Sequence, residues 1–262
     1  MKYIYTTFLI LLFATAGSAQ EYYLKPQTFI PNAEKEIAID IYRGNKFDTT
    51  ADRKIENVKI KSAAYFKESK PVSLIDSAGA LKSTFLIPLK DKGLYLASVE
   101  LYGSVEQKSK TSLSNQFTEE GFADLAEKIA MKQLFSVNNH YAVKTLIMAE
   151  KASGDAYKMP SESDFEIVLM QNPYKMKYGE DVTVQILSKG KAMPKVHVSI
   201  VTKTLSGSLF SSEQISDDDG KVYVKLNRAG IWLIKAINIV PAEKEADFDR
   251  WFSSYSFSFN NL

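Results

Sequence analysis

The sequence predicts a mainly β protein: two antiparallel, immunoglobulin-like β-sandwich domains with a helical segment between them. Three observations carry this prediction. Apolar residues alternate with polar ones in short runs at both ends of the chain, the runs are bounded by Gly, Pro, Asp and Asn, and the two ends resemble each other. Period-two patterning buries one face of a strand and leaves the other to water. Short strands separated by turn residues at spacings of roughly ten residues indicate sandwiches rather than a parallel sheet.

Taken in order, the chain opens with a processing segment. Lys2 gives a positive start, Ile4 to Phe13 form an apolar centre, and Ala14 to Ala19 are mostly small. That order is expected to be a secretory signal peptide over residues 1–19, cut after Ala19, with Ala16 as the alternative. The apolar run is shorter than the roughly 20 residues a spanning helix needs. The expected location is the periplasm, as a soluble protein. With no cysteine in the chain, disulfides, thiolate metal sites and lipid attachment are all excluded, so the protein is not a lipoprotein and its core alone must hold the fold. A net charge of only +2 gives no basic footprint for nucleic acid.

The N-terminal sandwich is expected over 20–112, where Ile37, Ile39 and Ile41 alternate with Ala38 and Asp40. Residues 113–163 are expected to hold a helical segment and a linker. Phe122, Leu125 and Ile129 stand at helical spacing within Phe117 to Gln133, Thr118 sits where an N-cap would, and Gly121 weakens the helix only modestly. Tyr141 to Glu150 reads equally as helix or strand, and Lys151 to Asp164 as linker. The C-terminal sandwich is expected over 164–262, with alternation at Val182-Val184-Ile186, Val196-Val198-Ile200, Val222-Val224-Leu226 and Tyr255-Phe257-Phe259. Two segments of the first half return in the second. Ala33 to Ile39 resembles Gly179 to Val184, and Gly93-Leu94-Tyr95-Leu96 resembles Gly230-Ile231-Trp232-Leu233, as expected of two domains of one kind.

Catalytic patterns are scarce. The chain has no G-x-S-x-G elbow, phosphate loop or H-E-x-x-H helix, and two histidines in all. His197 alternates outward from Val196 and Val198 and is expected to face solvent; His140 follows Asn138-Asn139 and is expected in a turn. Asp217-Asp218-Asp219-Gly220 lacks the companion ligands of a calcium loop and reads as a hairpin turn. The aromatic pairs Tyr22-Tyr23, Tyr65-Phe66 and Trp251-Phe252 could form stacking platforms for a sugar, although aromatics at strand positions are more often core. Tyr22, Tyr23 and Trp251 are the candidate ligand-binding residues. No catalytic residue, metal ligand or cofactor is assigned.

Glu21-Tyr22-Tyr23-Leu24-Lys25-Pro26 resembles the H-[DE]-[FY]-[WY]-L-x-P opening of the DUF4198 family. Asn172-Pro173-Tyr174 running to Gly179-Glu180, the Asp217–Gly220 turn and Gly230 to Ala236 are similar to three further segments of that family. The resemblance implies relation to periplasmic components of nickel and cobalt uptake. It also implies a metal site built on an N-terminal histidine and a second histidine. Here those positions hold Gln20 and Asn238, neither suited to nickel, so the metal site is not carried over. The expectation is a non-enzymatic periplasmic binding or accessory protein of metal-transport lineage, with an envelope transporter or receptor as partner. The alternative is a carbohydrate- or peptide-binding module of the cell envelope.

Overall fold

The computed structural model describes residues 21–44, 47, 52–129, 132–243 and 246–260. The expected signal peptide and Gln20 lie outside them. Among the described residues no helix is long and apolar enough to cross a membrane.

The first half of the chain runs β1 (Tyr22–Pro26), β2 (Lys35–Arg43), β3 (Arg53–Lys54), β4 (Val58–Phe66), β5 (Pro71–Ser73), β6 (Leu81–Lys82), β7 (Thr84–Leu89) and β8 (Gly93–Ser109). Helices α1 (Lys110–Glu119) and α2 (Ala123–Glu127) follow, and β9 (Leu134–Ala149) closes the half. The second half runs β10 (Phe165–Leu169), β11 (Asp181–Ser188), β12 (Lys191–Ala192), β13 (His197–Thr204), β14 (Leu209–Ile215), β15 (Lys221–Lys225), β16 (Gly230–Pro241) and β17 (Phe248–Phe259).

These strands form the expected mainly β architecture, but the two sandwiches share a sheet. A nine-stranded sheet in the order β14-β13-β16-β17-β9-β8-β4-β5, with β6 at β4, runs through the middle. A four-stranded sheet of β1, β2, β3 and β7 packs on one face, and another of β10, β11, β12 and β15 on the other. Tyr95, Ala97, Val143 and Phe252 point to the first core, whereas Leu94, Leu96, Leu146 and Tyr255 point to the second. The middle of the shared sheet is thus buried on both faces, and its strands read as nearly continuous apolar runs. That explains the ambiguous Tyr141 to Glu150: it is β9, a strand whose two covered faces erase the alternation that marks a strand. The segment expected to be helix and linker therefore contributes a central strand.

The internal similarity is structural. β2 is flanked by β1 and β7 as β11 is by β10 and β15; β8 lies between β4 and β9 as β16 lies between β13 and β17. Gly93 and Gly230 open the equivalent strands β8 and β16 with φ of 132° and 150°. A Cβ on Gly230 would stand 2.2 Å from the Lys203 carbonyl oxygen, so only glycine fits there. Strand pairs run antiparallel except β17 against β9, which is parallel and joins the halves. Two equivalent strands side by side and parallel imply a two-fold axis along them. Such an axis keeps strand direction and exchanges the sheet's faces, which is why the small sheets sit on opposite sides. Serines on β17 seal this seam: Ser254 and Ser256 Oγ donate to the carbonyls of Tyr22 and Leu24 (2.8 and 2.7 Å), satisfying the edge of β1 that no strand covers.

The helical region differs from expectation. Helix α1 begins earlier, because Ser109 Oγ caps it by accepting from the Ser112 N–H (3.2 Å). Thr118 lies near its end, its hydroxyl donating back to the Ser114 carbonyl (2.9 Å). Gly121 breaks the helix outright: its φ is +90°, and a Cβ would meet His197 Nδ1 at 2.4 Å. His197 is accordingly half-buried under Phe122 (ring centroids 4.8 Å apart) instead of facing solvent. The Asp217–Gly220 turn forms, with Gly220 N–H donating to the Asp217 carbonyl (2.9 Å). Its flanking strands pair with different sheets, however, so it is a crossover and not a hairpin.

Candidate functional site

The parallel seam also builds a cleft. Parallel register sets Asn138 beside Asp249 and His140 beside Trp251, on the face that carries the second core. Residues two apart on a strand share a face, so Asn138 and His140 from β9 meet Asp249 and Trp251 from β17 in one patch. Asn238 on β16, Asp164 before β10, Lys189 after β11 and Glu243 complete the rim of a cavity of about 690 Å³. This lies within the range of small-molecule sites.

Within it, Asp249 Oδ1 accepts from Asn138 Nδ2 (2.9 Å) and lies 3.0 Å from His140 Nε2. Asn138 Nδ2 also lies 3.1 Å from His140 Nε2, so the three side chains form one polar cluster. The His140 ring stacks on the Trp251 indole, centroids 3.8 Å apart and planes 9° apart. The His140 and Asp249 side chains are 29% and 21% exposed, so both reach solvent and a ligand. The result is an aromatic wall with amide, carboxylate and imidazole groups around it. Those groups can bind hydroxyls and amides by hydrogen bonds while the rings cover an apolar face. Among the described residues, no group of three or more His, Cys, Asp or Glu gathers as a metal would require.

Of the sequence candidates, the structure places Trp251 in this cleft and buries the other two. Tyr22 packs edge-on against Tyr141 (4.7 Å) inside the first core. Tyr23 is 2% exposed, against Phe47 and Tyr42, and its hydroxyl donates to Asp52 Oδ2 (3.0 Å). Neither can be a platform, because β1 is sandwiched against the shared sheet and both of its faces are covered. His140 is not in a turn but in mid-strand, directed into the cleft. Asn138 and Asp249 were not singled out from sequence. A signal existed in the polar-x-aromatic spacing of Asn138-x-His140 and Asp249-x-Trp251, but nothing local says that segments so far apart are neighbours.

Other buried charged groups serve the scaffold. Lys144, on β9, is paired with Glu166 in the interior, and Glu166 Oε2 also accepts from the Ser161 N–H (2.7 Å) and hydroxyl (2.9 Å). Burial pushes the Lys144 ammonium below its usual range against the pull of Glu166. On the opposite face Arg250 reaches Glu120 (2.8 Å), and Lys235 reaches Glu21 (2.7 Å), whose carboxyl is pushed up mainly by burial. Asp217 is occupied by its own turn, its Oδ1 accepting from the Asp219 and Lys221 N–H groups (3.0 and 2.8 Å).

The family described as "Domain of unknown function (DUF4198)" matches residues 17–239. No curated protein matches the sequence. Among solved structures, the D0-D1 domain of intimin is 10% identical, covering 92% of this chain and 98% of that one at a TM-score of 0.23. A tetra-tandem repeat from the extending region of a large adhesion protein is 9% identical, covering 93% of this chain and 50% of that one at 0.24. The three N-terminal domains of the bacteriophage RB49 highly immunogenic outer capsid protein are 8% identical, covering 92% and 100% at 0.20.

Proposed function

The chain belongs to the DUF4198 family, and we propose that it is an exported, periplasmic, non-enzymatic binding protein holding a polar, hydroxylated ligand of the carbohydrate class in the seam cleft. The observation that carries this reading is the stacked His140–Trp251 wall facing Asn138, Asn238, Asp164, Asp249 and Glu243 around one cavity. A sugar ring has an apolar face for the aromatic wall and hydroxyls that planar amides and carboxylates bind. A binding role suits a His140–Asp249 pair whose cleft has Ser188 as its one hydroxyl side chain among the described residues. It suits equally the bonding of the imidazole to its neighbours rather than toward a nucleophile.

The test is titration of the protein with neutral and acidic oligosaccharides, followed by tryptophan fluorescence and calorimetry. Saturable binding is expected, and Trp251→Ala should weaken it at least about tenfold, as for loss of a stacked ring. Trp232 is buried and donates to the Arg228 carbonyl (3.2 Å), so Trp232 should not respond. Silence across the panel would remove the proposal, and turnover of any sugar would replace binding with catalysis.

A second reading follows from the resemblance to nickel and cobalt uptake. The position where the resemblance implies a histidine, Asn238, lines the same cleft as His140 and Asp249. On this reading the protein is an accessory of metal uptake beside an envelope transporter, with the ancestral ligand position retained in place and altered in chemistry. Calorimetry with Ni²⁺ and Co²⁺ separates the two: weak or no heat is expected, and submicromolar binding lost in His140→Ala would favour the metal.

A further inference from the structure

The two-fold relation between the halves gives the shared sheet two equivalent faces that no small sheet covers. One belongs to the second half and carries His197, Ser199, Val201 and Lys235. Matching Gly93 to Gly230 along the ladders, its counterparts in the first half are Ser62, Ala64, Phe66 and Ser98. The first of these faces is closed by insertions found in one half alone. Between β2 and β3, Phe47 packs on Val201 and Leu233, held by Lys203 Nζ donating to the Phe47 carbonyl (2.8 Å). The α1–α2 excursion brings Phe122 onto His197, and Glu21 pairs with Lys235. In the second half the equivalent of loop 44–52 is only Lys189-Gly190, and the equivalent of the helices is the short connection 242–247. Among the described residues no such insertion caps the counterpart face: Ala156 and Met159 cover its Phe66 end, and a groove of about 540 Å³ stays open beside them.

We propose that this groove receives an aromatic side chain, flanked by a cationic residue, from a segment of a partner polypeptide. The groove repeats the strand geometry that lies beneath Phe47 and Phe122 on the other face, with smaller side chains on its floor. Ser62 and Ser98 replace His197 and Lys235, and Phe66, Pro71, Ile75, Met159 and Pro160 provide apolar walls. Both walls are fixed beforehand. Lys144 and Glu166 hold the 159–162 segment from inside, and Lys82 Nζ and Ser73 Oγ bond the Leu74 and Ile75 carbonyls (3.1 and 2.6 Å). Preformed walls lower the ordering cost of binding. The rim sets the charge. Asp76 and Glu162 stand exposed on opposite walls, while Lys61 is engaged by Glu100 (2.7 Å), so the mouth favours a cation beside the ring.

The experiment records amide shifts of the isotope-labelled protein during titration with acetyl-lysyl-phenylalanine amide. Saturable shifts are expected at Ser62, Ala64, Ser98 and Ser161. The lysyl-alanine analogue should bind about tenfold or more weakly, as for loss of a buried phenyl ring. Ser98→Leu, which fills the floor, should abolish the shifts. Should that variant misfold, the surface pair Asp76→Lys and Glu162→Lys should instead shift preference several-fold toward the glutamyl-phenylalanine analogue. Trp251→Ala should leave all of this unchanged, separating the groove from the seam cleft. Absence of saturable shifts, shifts confined to the seam cleft, or saturation by a neutral disaccharide but not by the dipeptide would each overturn the proposal.

Discussion

The covered face of the second half and the open face of the first are built from equivalent strands, yet among the described residues only one is capped by insertions. On the covered side, Phe47, Phe122 and the Glu120–Arg250 and Glu21–Lys235 pairs are part of the core. On the open side, Ser62 and Ala64 reach water beside buried Ser98 and Phe66, in a groove with pinned walls. The difference teaches that a repeat's insertions, more than its strands, decide which of its surfaces are scaffold and which are free to bind.

The largest effect should come from Glu120→Ala. It leaves the Arg250 guanidinium, with no side-chain exposure, without its carboxylate, and breaking a buried pair this way costs about 3–5 kcal/mol. Denaturant midpoints measure it, and a loss under about 1 kcal/mol would mean that the helices do not close that face. Next, Phe47→Ala should cost about 3 kcal/mol, whereas Ser62→Val at the exposed edge of the open groove should cost about 0.5 kcal/mol or less. Equal costs at the two sites would erase the contrast.

The third expectation concerns pH on the covered side. Burial raises the Glu21 carboxyl above its ordinary 4.5, so within the window above 4.5 the folded state holds more protons than the unfolded. Stability should therefore fall as pH rises through that window, and Glu21→Gln should flatten the slope. The smallest effect belongs to Asp247, in the connection that leads into β17. Its carboxylate is held below its ordinary 3.8, first by the bond from Lys132 and then by the Ser136 N–H. That stabilisation should be present above 3.8 and disappear as pH falls through the lower folded value; Asp247→Asn should remove this acid limb from unfolding curves.

The reading of the fold from sequence succeeded where one face of a strand is wet. The alternation of Ile37-Ile39-Ile41 and Val182-Val184-Ile186 marks the two small sheets, whose outer faces meet solvent. It failed at β9, where burial on both faces removes the period, and at Gly121, where a positive φ ends α1 and His197 from another strand leaves no room for a Cβ. Of the three aromatic candidates, Trp251 lines the cleft while Tyr22 and Tyr23 are buried, because an aromatic at a strand position looks the same in sequence whether buried or exposed. His140 was read as a turn residue for want of its neighbours on β17.

By itself, the sequence determined the class of fold, the repeated strand signals and the glycines that open β8 and β16, because these are consequences of local sterics and of one-sided burial. Only the tertiary structure decided that the two sandwiches share a sheet, that His140 and Asp249 become neighbours and that one of two equivalent faces stays open. Those outcomes depend on the parallel pairing of β9 with β17, a contact between segments distant in the chain that no local period records.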